Sequence, residues 1–263
     1  MVELCSLFSG SSGNSTFVKA GKTNILVDCG DSGSRIESAL KNIGVEPGDL
    51  DCIFITHEHI DHIKGAGVLS RKYDLPVYAT YGTWQNMISK IGKMNIDNIR
   101  YIQGGVPFGA FDAVVMPFTT SHDSAESVGF TIEHNGKKVS IATDMGAMTK
   151  TVYENIKKSD IVLLESNHDV DMLLNGPYSY DLKQRIRSRV GHLSNEDCAL
   201  TCSHLLNEGV KHLILGHLSL DNNTPARAYD ATYLALSEQG ARVGEDITLE
   251  VAERYFSSKL YKE

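Results

Sequence analysis

Six consecutive residues, His57-Glu58-His59-Ile60-Asp61-His62, carry four side chains able to hold a metal ion, directly behind the apolar run DCIFIT at 51–56. On an extended segment, residues two apart face the same way, so His57 and His59 can grip one cation. Asp61 and His62 fall where the chain is expected to turn into a helix, displaced enough to grip a second cation nearby. Imidazole and carboxylate suit zinc, iron or manganese without any thiolate. A structural zinc site would more often use cysteine and close into four-coordination. The run therefore demands a fold that presents it at the end of a strand, open to a substrate.

One cluster cannot complete two coordination spheres, so further ligands are expected at other strand ends. His122 follows the strand AVVMPF and the polar TTS, Asp144 follows SIAT, and His217 follows LILG. Each lies just past the C-terminal end of an expected strand, where side chains can converge on one edge. Taken singly, each would read as a surface or capping residue.

The chain around these ligands reads as α/β. Strands are expected at 2–8, 15–20, 23–28, 51–56 and 76–79, with helices at 34–43, 61–73 and 81–91. Ser34 and Glu37 read as a capping box for the first helix, and Gly44 as its stop. Strands 112–118, 128–134 and 138–143 follow, the last two joined by Asn135-Gly136, a type I′ hairpin signal. Beyond Asp144, helix 149–157, strand 160–165, a loop-rich stretch 166–192, helix 194–208, strand 211–216, helix 223–238 and strand 246–252 complete the pattern. Two sheets packed face to face with helices outside accommodate this order. No linker, low-complexity tract or repeat divides residues 1–263, so a single domain is expected.

Bulk properties narrow the function. The 263 residues carry a formal charge of −8, whereas a dedicated nucleic-acid-binding module is usually basic. An enzyme that meets phosphate with metal ions and a local basic patch remains open. No apolar run approaches the roughly 20 residues needed to cross a bilayer, and no secretory leader is visible. Cys5, Cys29, Cys52, Cys198 and Cys202 lack CxxC spacing and read as buried reduced thiols, which points to the cytoplasm.

The ordered set HxHxDH (57–62), His122, Asp144 and His217, with Asp28 in LVDCG, resembles the ligand motifs of the metallo-β-lactamase superfamily over nearly the whole chain. The resemblance implies the αββα four-layer sandwich and two divalent ions (Zn, Mn or Fe). One would take His57, His59 and His122, the other Asp61, His62 and His217, with Asp144 bridging. Asp28 would support the histidine loop from behind.

Within that superfamily, His59 differs from the glutamate of flavodiiron oxidoreductases, and the interval from Asp144 to His217 is too short for the β-CASP insertion. No long arm of the ribonuclease Z kind is visible. SGSSGN (9–14), HEHIDH, ESNHD (165–169) and GHLSN (191–195) together look most like the YycJ/WalJ-like exonuclease branch. The resemblance implies a 5′-to-3′ exonuclease on double-stranded DNA, linked to DNA repair. It places His192 beside the reacting phosphate, with Asp61 and Asp144 orienting the attacking water, and His168, Ser194 and Asn195 as substrate contacts. Lys183, Arg185, Arg187 and Arg189 read either as a solvated helix face or as a phosphate-contacting strip. Two rivals stay open: a small-molecule hydrolase (cyclic phosphodiesterase or glyoxalase-like thioesterase) and a non-enzymatic, metal-stabilised regulatory binder. The sequence points to no protein partner.

Overall fold

The computed structural model describes residues 1–263. The first half of the chain builds one sheet. Strands β1 (Val2–Phe8), β2 (Ser15–Ala20) and β3 (Thr23–Val27) form an antiparallel meander. Strands β4 (Cys52–Phe54), β5 (Val77–Thr80) and β6 (Ile99–Ile102) then add in parallel beside β3. The crossovers carry helices α1 (Gly33–Asn42), α2 (Ile60–Ile63), α3 (Ala66–Tyr73) and α4 (Tyr81–Met87).

The second half repeats the plan. Strands β7 (Phe108–Ala110), β8 (Ala113–Thr119), β9 (Val128–His134) and β10 (Lys137–Ala142) are antiparallel. Helix α5 (Lys150–Ile156) leads to β11 (Ile161–Glu165), parallel to β10. Helices α6 (Val170–Asn175), α7 (Tyr180–Ile186) and α8 (Asn195–Leu206) precede β12 (His212–Gly216). Helix α9 (Pro225–Glu238) precedes β13 (Thr248–Val251), and β14 (Tyr261–Lys262) returns to pair with β1 in the first sheet. Each sheet has seven strands.

Strand alternation divides the apolar residues among three layers. In β4, Cys52 and Phe54 face the opposite sheet while Ile53 faces the helices; in β11, Ile161 and Leu163 face inward while Val162 and Leu164 face outward. Strands covered on both faces read as continuous apolar runs for this reason. Between the sheets, Phe54 stacks on Phe130 with ring centroids 5.4 Å apart. Ile36, Leu40, Leu69 and Trp84 close the outer face of one sheet, and Val152, Cys198, Cys202 and Leu236 close the other. The result is the four-layer αββα sandwich.

Local differences from the sequence expectation have physical causes. Ser32, not Ser34, caps α1, accepting from the Arg35 N–H, and Glu37 pairs with Lys72 instead of closing a capping box. The single helix expected over 61–73 is split at Gly65, whose N–H donates to the Cys29 carbonyl at 2.7 Å. The helix expected over 81–91 ends at Met87. Strands β6, β7 and β14 are unanticipated: β6 is half exposed on both faces, and β7 and β14 have three and two residues. Helix α7 buries no residue, so no apolar period marks it within the stretch expected as loop. The hairpin at Asn135-Gly136 has positive φ at both positions, 50° and 75°, as a type I′ turn requires.

Candidate metal centre

The ligands gather because both sheets end on the same edge. His57 follows β4, His122 follows β8, Asp144 follows β10, Glu165 ends β11 and His217 follows β12. At two of these ends, and at the end of β3, the backbone turns sharply: Asp144, His217 and Asp28 have φ of 57°, 55° and 62°. A non-glycine residue held there costs on the order of 1–3 kcal/mol, and such strain clusters at functional sites. Here it swings Asp144 and His217 out of the strand direction and into the centre, and Asp28 toward the outer nitrogen of His62.

Two groups of ligand atoms meet. His57 Nε2 lies 3.0 Å from His59 Nδ1, and His122 Nε2 lies 3.3 Å from the same atom. His62 Nε2 is 3.3 Å from Asp144 Oδ2 and 3.6 Å from Asp61 Oδ2. His217 Nε2 is 3.3 Å from Asp144 Oδ1, and His122 Nε2 is 3.7 Å from it. Asp144 thus stands between the two groups. Adjacent ligands of a tetrahedral ion bound at ~2.0 Å lie roughly 3.3 Å apart, which matches these spacings.

The outward nitrogens are committed elsewhere. His62 Nδ1 meets Asp28 Oδ2 at 2.8 Å, His122 Nδ1 meets the Gly191 carbonyl at 3.2 Å, and His217 Nδ1 meets Asn14 Oδ1 at 3.2 Å. Such partners set the tautomer and aim the Nε2 lone pairs inward. Asp28 also accepts from the Thr56 N–H and hydroxyl, both at 2.8 Å, which ties down the strand end carrying His57. Asp144 Oδ2 is buried with no hydrogen-bond partner. Inward lone pairs around an orphaned carboxylate oxygen need a cation between them, so the residues fit divalent metal ions.

Electrostatics agree at His57, His59 and His217, whereas without a cation the surrounding carboxylates favour a proton on His62. Burial, reinforced by neighbouring imidazoles, holds His57 well below the usual histidine range, lowers His59, and brings His217 down to about 4. These rings are neutral at physiological pH, as ligation requires. Burial opposes charge on His62, but Asp144, Asp28 and Asp61 together push it up to about 10. Burial would raise Asp144, yet His217, His62, His57 and His122 hold it well below the carboxylate range.

His192 joins the centre from the α7–α8 loop. Its Nδ1 is 2.7 Å from Glu165 Oε1 and 3.8 Å from Asp144 Oδ1, and its ring stacks on His217 at 5.3 Å. Burial opposes its charge, but Glu165 beside it prevails and pushes it up to about 9. Glu165 Oε2 accepts from the Met145 and Leu193 N–H groups.

The remaining expected site residues lie behind this layer. His168 is buried, its Nδ1 without a partner, and burial brings it down to about 4. Its carbonyl accepts from the Asn195 N–H. Ser194 caps α8 by accepting from the Asp197 N–H, and Asn195 forms a reciprocal amide pair with Asn223. In the basic run, Lys183 donates to the Leu174 and Gly176 carbonyls and Arg185 pairs with Asp123, while Arg187 and Arg189 are exposed. All five cysteines are buried and free.

Two residues escaped the sequence reading. Asn14, in the SGSSGN loop, contacts His62 Nε2 at 3.1 Å as well as His217 and Asp61. Glu165 sat in a recognised motif but had no partner visible by spacing. A cavity of about 200 Å³ opens beside the centre, lined among others by Ser11, Tyr178, Arg185, His192, His217 and Ser219.

The fold and the His/Asp centre define a metallo-β-lactamase-type protein, and the β-lactamase superfamily domain matches residues 23–218. The chain belongs to the metallo-β-lactamase superfamily, in its YycJ/WalJ branch. It is 41% identical over 239 residues to the exodeoxyribonuclease YycJ of Bacillus anthracis, covering 91% of this chain and 90% of that one. It is 39% identical over 242 residues to the exodeoxyribonuclease WalJ of Streptococcus pneumoniae, with the same coverage. The metallo-β-lactamase fold protein YhfI of Bacillus subtilis superposes with a TM-score of 0.71, over 98% of this chain and 100% of that one, at 18% identity, a likeness of fold.

Proposed function

We propose that this chain is a dinuclear metal-dependent phosphodiesterase acting as a 5′-to-3′ exonuclease on double-stranded DNA, with a role in DNA repair. The observation that carries the reading is the gathering of His57, His59, His62, His122, Asp144 and His217 on one edge, where His192 and His217 line a cavity of only about 200 Å³. Pockets that enclose a whole small ligand run to roughly 300–1,000 Å³. This one suits the end group of a longer molecule whose remainder lies across the surface. The names of the YycJ and WalJ relatives support DNA as that molecule.

In this reading His57, His59 and His122 would hold one ion and Asp61, His62 and His217 the other, with Asp144 available to either; zinc, manganese and iron all suit the donors. When bound, the ions lower the pKa of the attacking water toward ~7 and stabilise charge on the phosphoryl oxygens. Asp61 and Asp144 orient that water. Glu165 pins His192 Nδ1, leaving Nε2 to contact a phosphoryl oxygen or to protonate the departing oxygen. His168, Ser194 and Asn195 serve the substrate by holding the segment that carries His192, and Arg187 and Arg189 offer charge to phosphates at the rim. Residues 1–263 act as one domain, because a single core cluster draws on both sheets. Five buried free thiols suit the reducing cytoplasm, and no helix is long and apolar enough to cross a membrane.

The test is digestion of end-labelled duplex and single-stranded DNA and RNA with Zn²⁺, Mn²⁺ or Fe²⁺. Stepwise loss of nucleotides from the 5′ end of duplex DNA is expected. Inertness toward every polynucleotide, alongside fast hydrolysis of a small phosphodiester, would overturn the proposal in favour of a small-molecule hydrolase.

A further inference from the structure

Tyr255 and Phe256 lie side by side in the segment between β13 and β14, and both are turned outward, 50% and 69% exposed. Single exposed apolar residues are ordinary, but these two form a ridge between two cavities. One, of about 530 Å³, also takes in Ser9, Leu218, Leu220 and Arg254; the other, of about 480 Å³, takes in Phe8 and Arg35. Leu220, itself 65% exposed, lines the first cavity with the two rings.

The ridge is fastened to the metal edge. Arg254, at its root, donates to the carbonyl of Leu218, the residue after His217. The same guanidinium lies against Gly10, where an added Cβ would come within 2.7 Å of it. The Ser9 hydroxyl accepts from the His217 N–H at 2.8 Å, and the Gly10 N–H donates to Asn14 at 2.9 Å. The rings are therefore held in register with the loop and strand end that carry Asn14 and His217.

Two guanidinium groups flank the rings, which favours a flat, ring-bearing occupant. The Arg35 guanidinium sits 5.0 Å from the Phe8 ring centroid and 6.0 Å from that of Tyr255, and also pairs with Asp31. Arg254 meets a carbonyl and pairs with no carboxylate, although Glu253 lines the same cavity. Aromatic faces beside guanidinium groups bind nucleobases with little sequence preference, since every base has a π-face. Bases inside a duplex are already stacked on their neighbours, so only unpaired ones can use such a surface.

We propose that Tyr255 and Phe256 form a stacking platform for unpaired nucleobases of the DNA strand end, holding the strands apart next to the metal centre. The proposal rests on the nuclease reading above. It makes a frayed or short single-stranded 5′ end the preferred substrate over a blunt one.

The test compares wild type, the double variant Tyr255→Ala/Phe256→Ala, Phe256→Leu and Phe256→Trp on duplex DNA with a short unpaired 5′ end and on bis(p-nitrophenyl) phosphate. Base–aromatic stacking predicts a KM for DNA roughly tenfold higher in the double variant. The ratio of DNA turnover to small-phosphodiester turnover falls by the same factor. Phe256→Trp keeps the wild-type ratio and Phe256→Leu lowers it; both keep an apolar side chain, so a failure to fold cannot mimic the pattern. Equal DNA kinetics for wild type and the double variant overturn the platform while leaving the nuclease reading intact. So does a dimer that dissociates in the double variant with its DNA KM unchanged, which would assign the rings to a second copy of the chain. A wild type that degrades no polynucleotide overturns both proposals.

Discussion

His192 turns one ring nitrogen, Nδ1, toward both carboxylates, 2.7 Å from Glu165 and 3.8 Å from Asp144, and leaves Nε2 without a hydrogen bond. His192→Ala is expected to lower kcat by roughly 10²–10⁴-fold, the scale of a lost general acid, with metal content by elemental analysis unchanged. A parallel loss of metal would place His192 in the coordination sphere instead. The histidines and aspartates that the structure gathers were legible residue by residue, because four sit in one hexapeptide and the others each follow an apolar strand. Glu165 and Asn14 were not. Glu165 meets a partner 27 positions away and Asn14 one 203 positions away, and no local spacing encodes such contacts. Asn14 reads in sequence as ordinary turn chemistry, which it also supplies by accepting from the Gly10 N–H.

Among the elements, the β3–α1 and β4–α2 junctions are the tightest at the site. A Cβ on Gly30 would stand 1.7 Å from the Asp61 carbonyl oxygen, so only glycine lets these two loops pass. Gly30→Ala is expected to cost roughly 1–3 kcal/mol, as overpacking does, and to displace Asp61 and His62. Urea titration would show a lowered midpoint together with weaker metal retention; a fully stable, fully loaded variant would contradict the assignment. At the entrance to β11, Asp160 accepts from Lys137 and from the Lys138 N–H, each at 2.9 Å. Burial works against its charge, but these donors hold its carboxyl below the usual carboxylate range. A depressed folded-state pKa gives stability that is present above the unfolded value and lost as pH falls through the folded one. Asp160→Asn is therefore expected to lose roughly 0.2–1 kcal/mol at neutral pH and to show a shallower acid limb below about pH 4. Equal pH–stability curves for the two proteins would refute this. Strands buried on both faces were legible as apolar runs, whereas β6 and α7 were not, since little of their surface is buried, nor were β7 and β14, whose three and two residues are too few to show a period.

For the molecule as a whole, the metal centre joins the ends of strands from both sheets, so its occupancy is expected to support the fold globally. Removing metal with a chelator is expected to lower Tm by roughly 5–10 °C, the effect of about 2.7 kcal/mol of binding free energy at a hundredfold excess over Kd. Scanning calorimetry with and without EDTA, followed by reloading with each metal, measures it; an unchanged Tm would mean that the centre is already rigid without metal. The sequence alone determined the ligand types, the strands that end in them and the layered class of fold, because clustering, apolar runs and strand alternation are local properties of the chain. The tertiary structure alone decided that Glu165 orients His192, that Asn14 joins two histidines, and that Tyr255 and Phe256 stand beside the metal edge. Those contacts depend on sheet register and on left-handed turns at Asp28, Asp144 and His217, which aim side chains in directions that no spacing along the chain records.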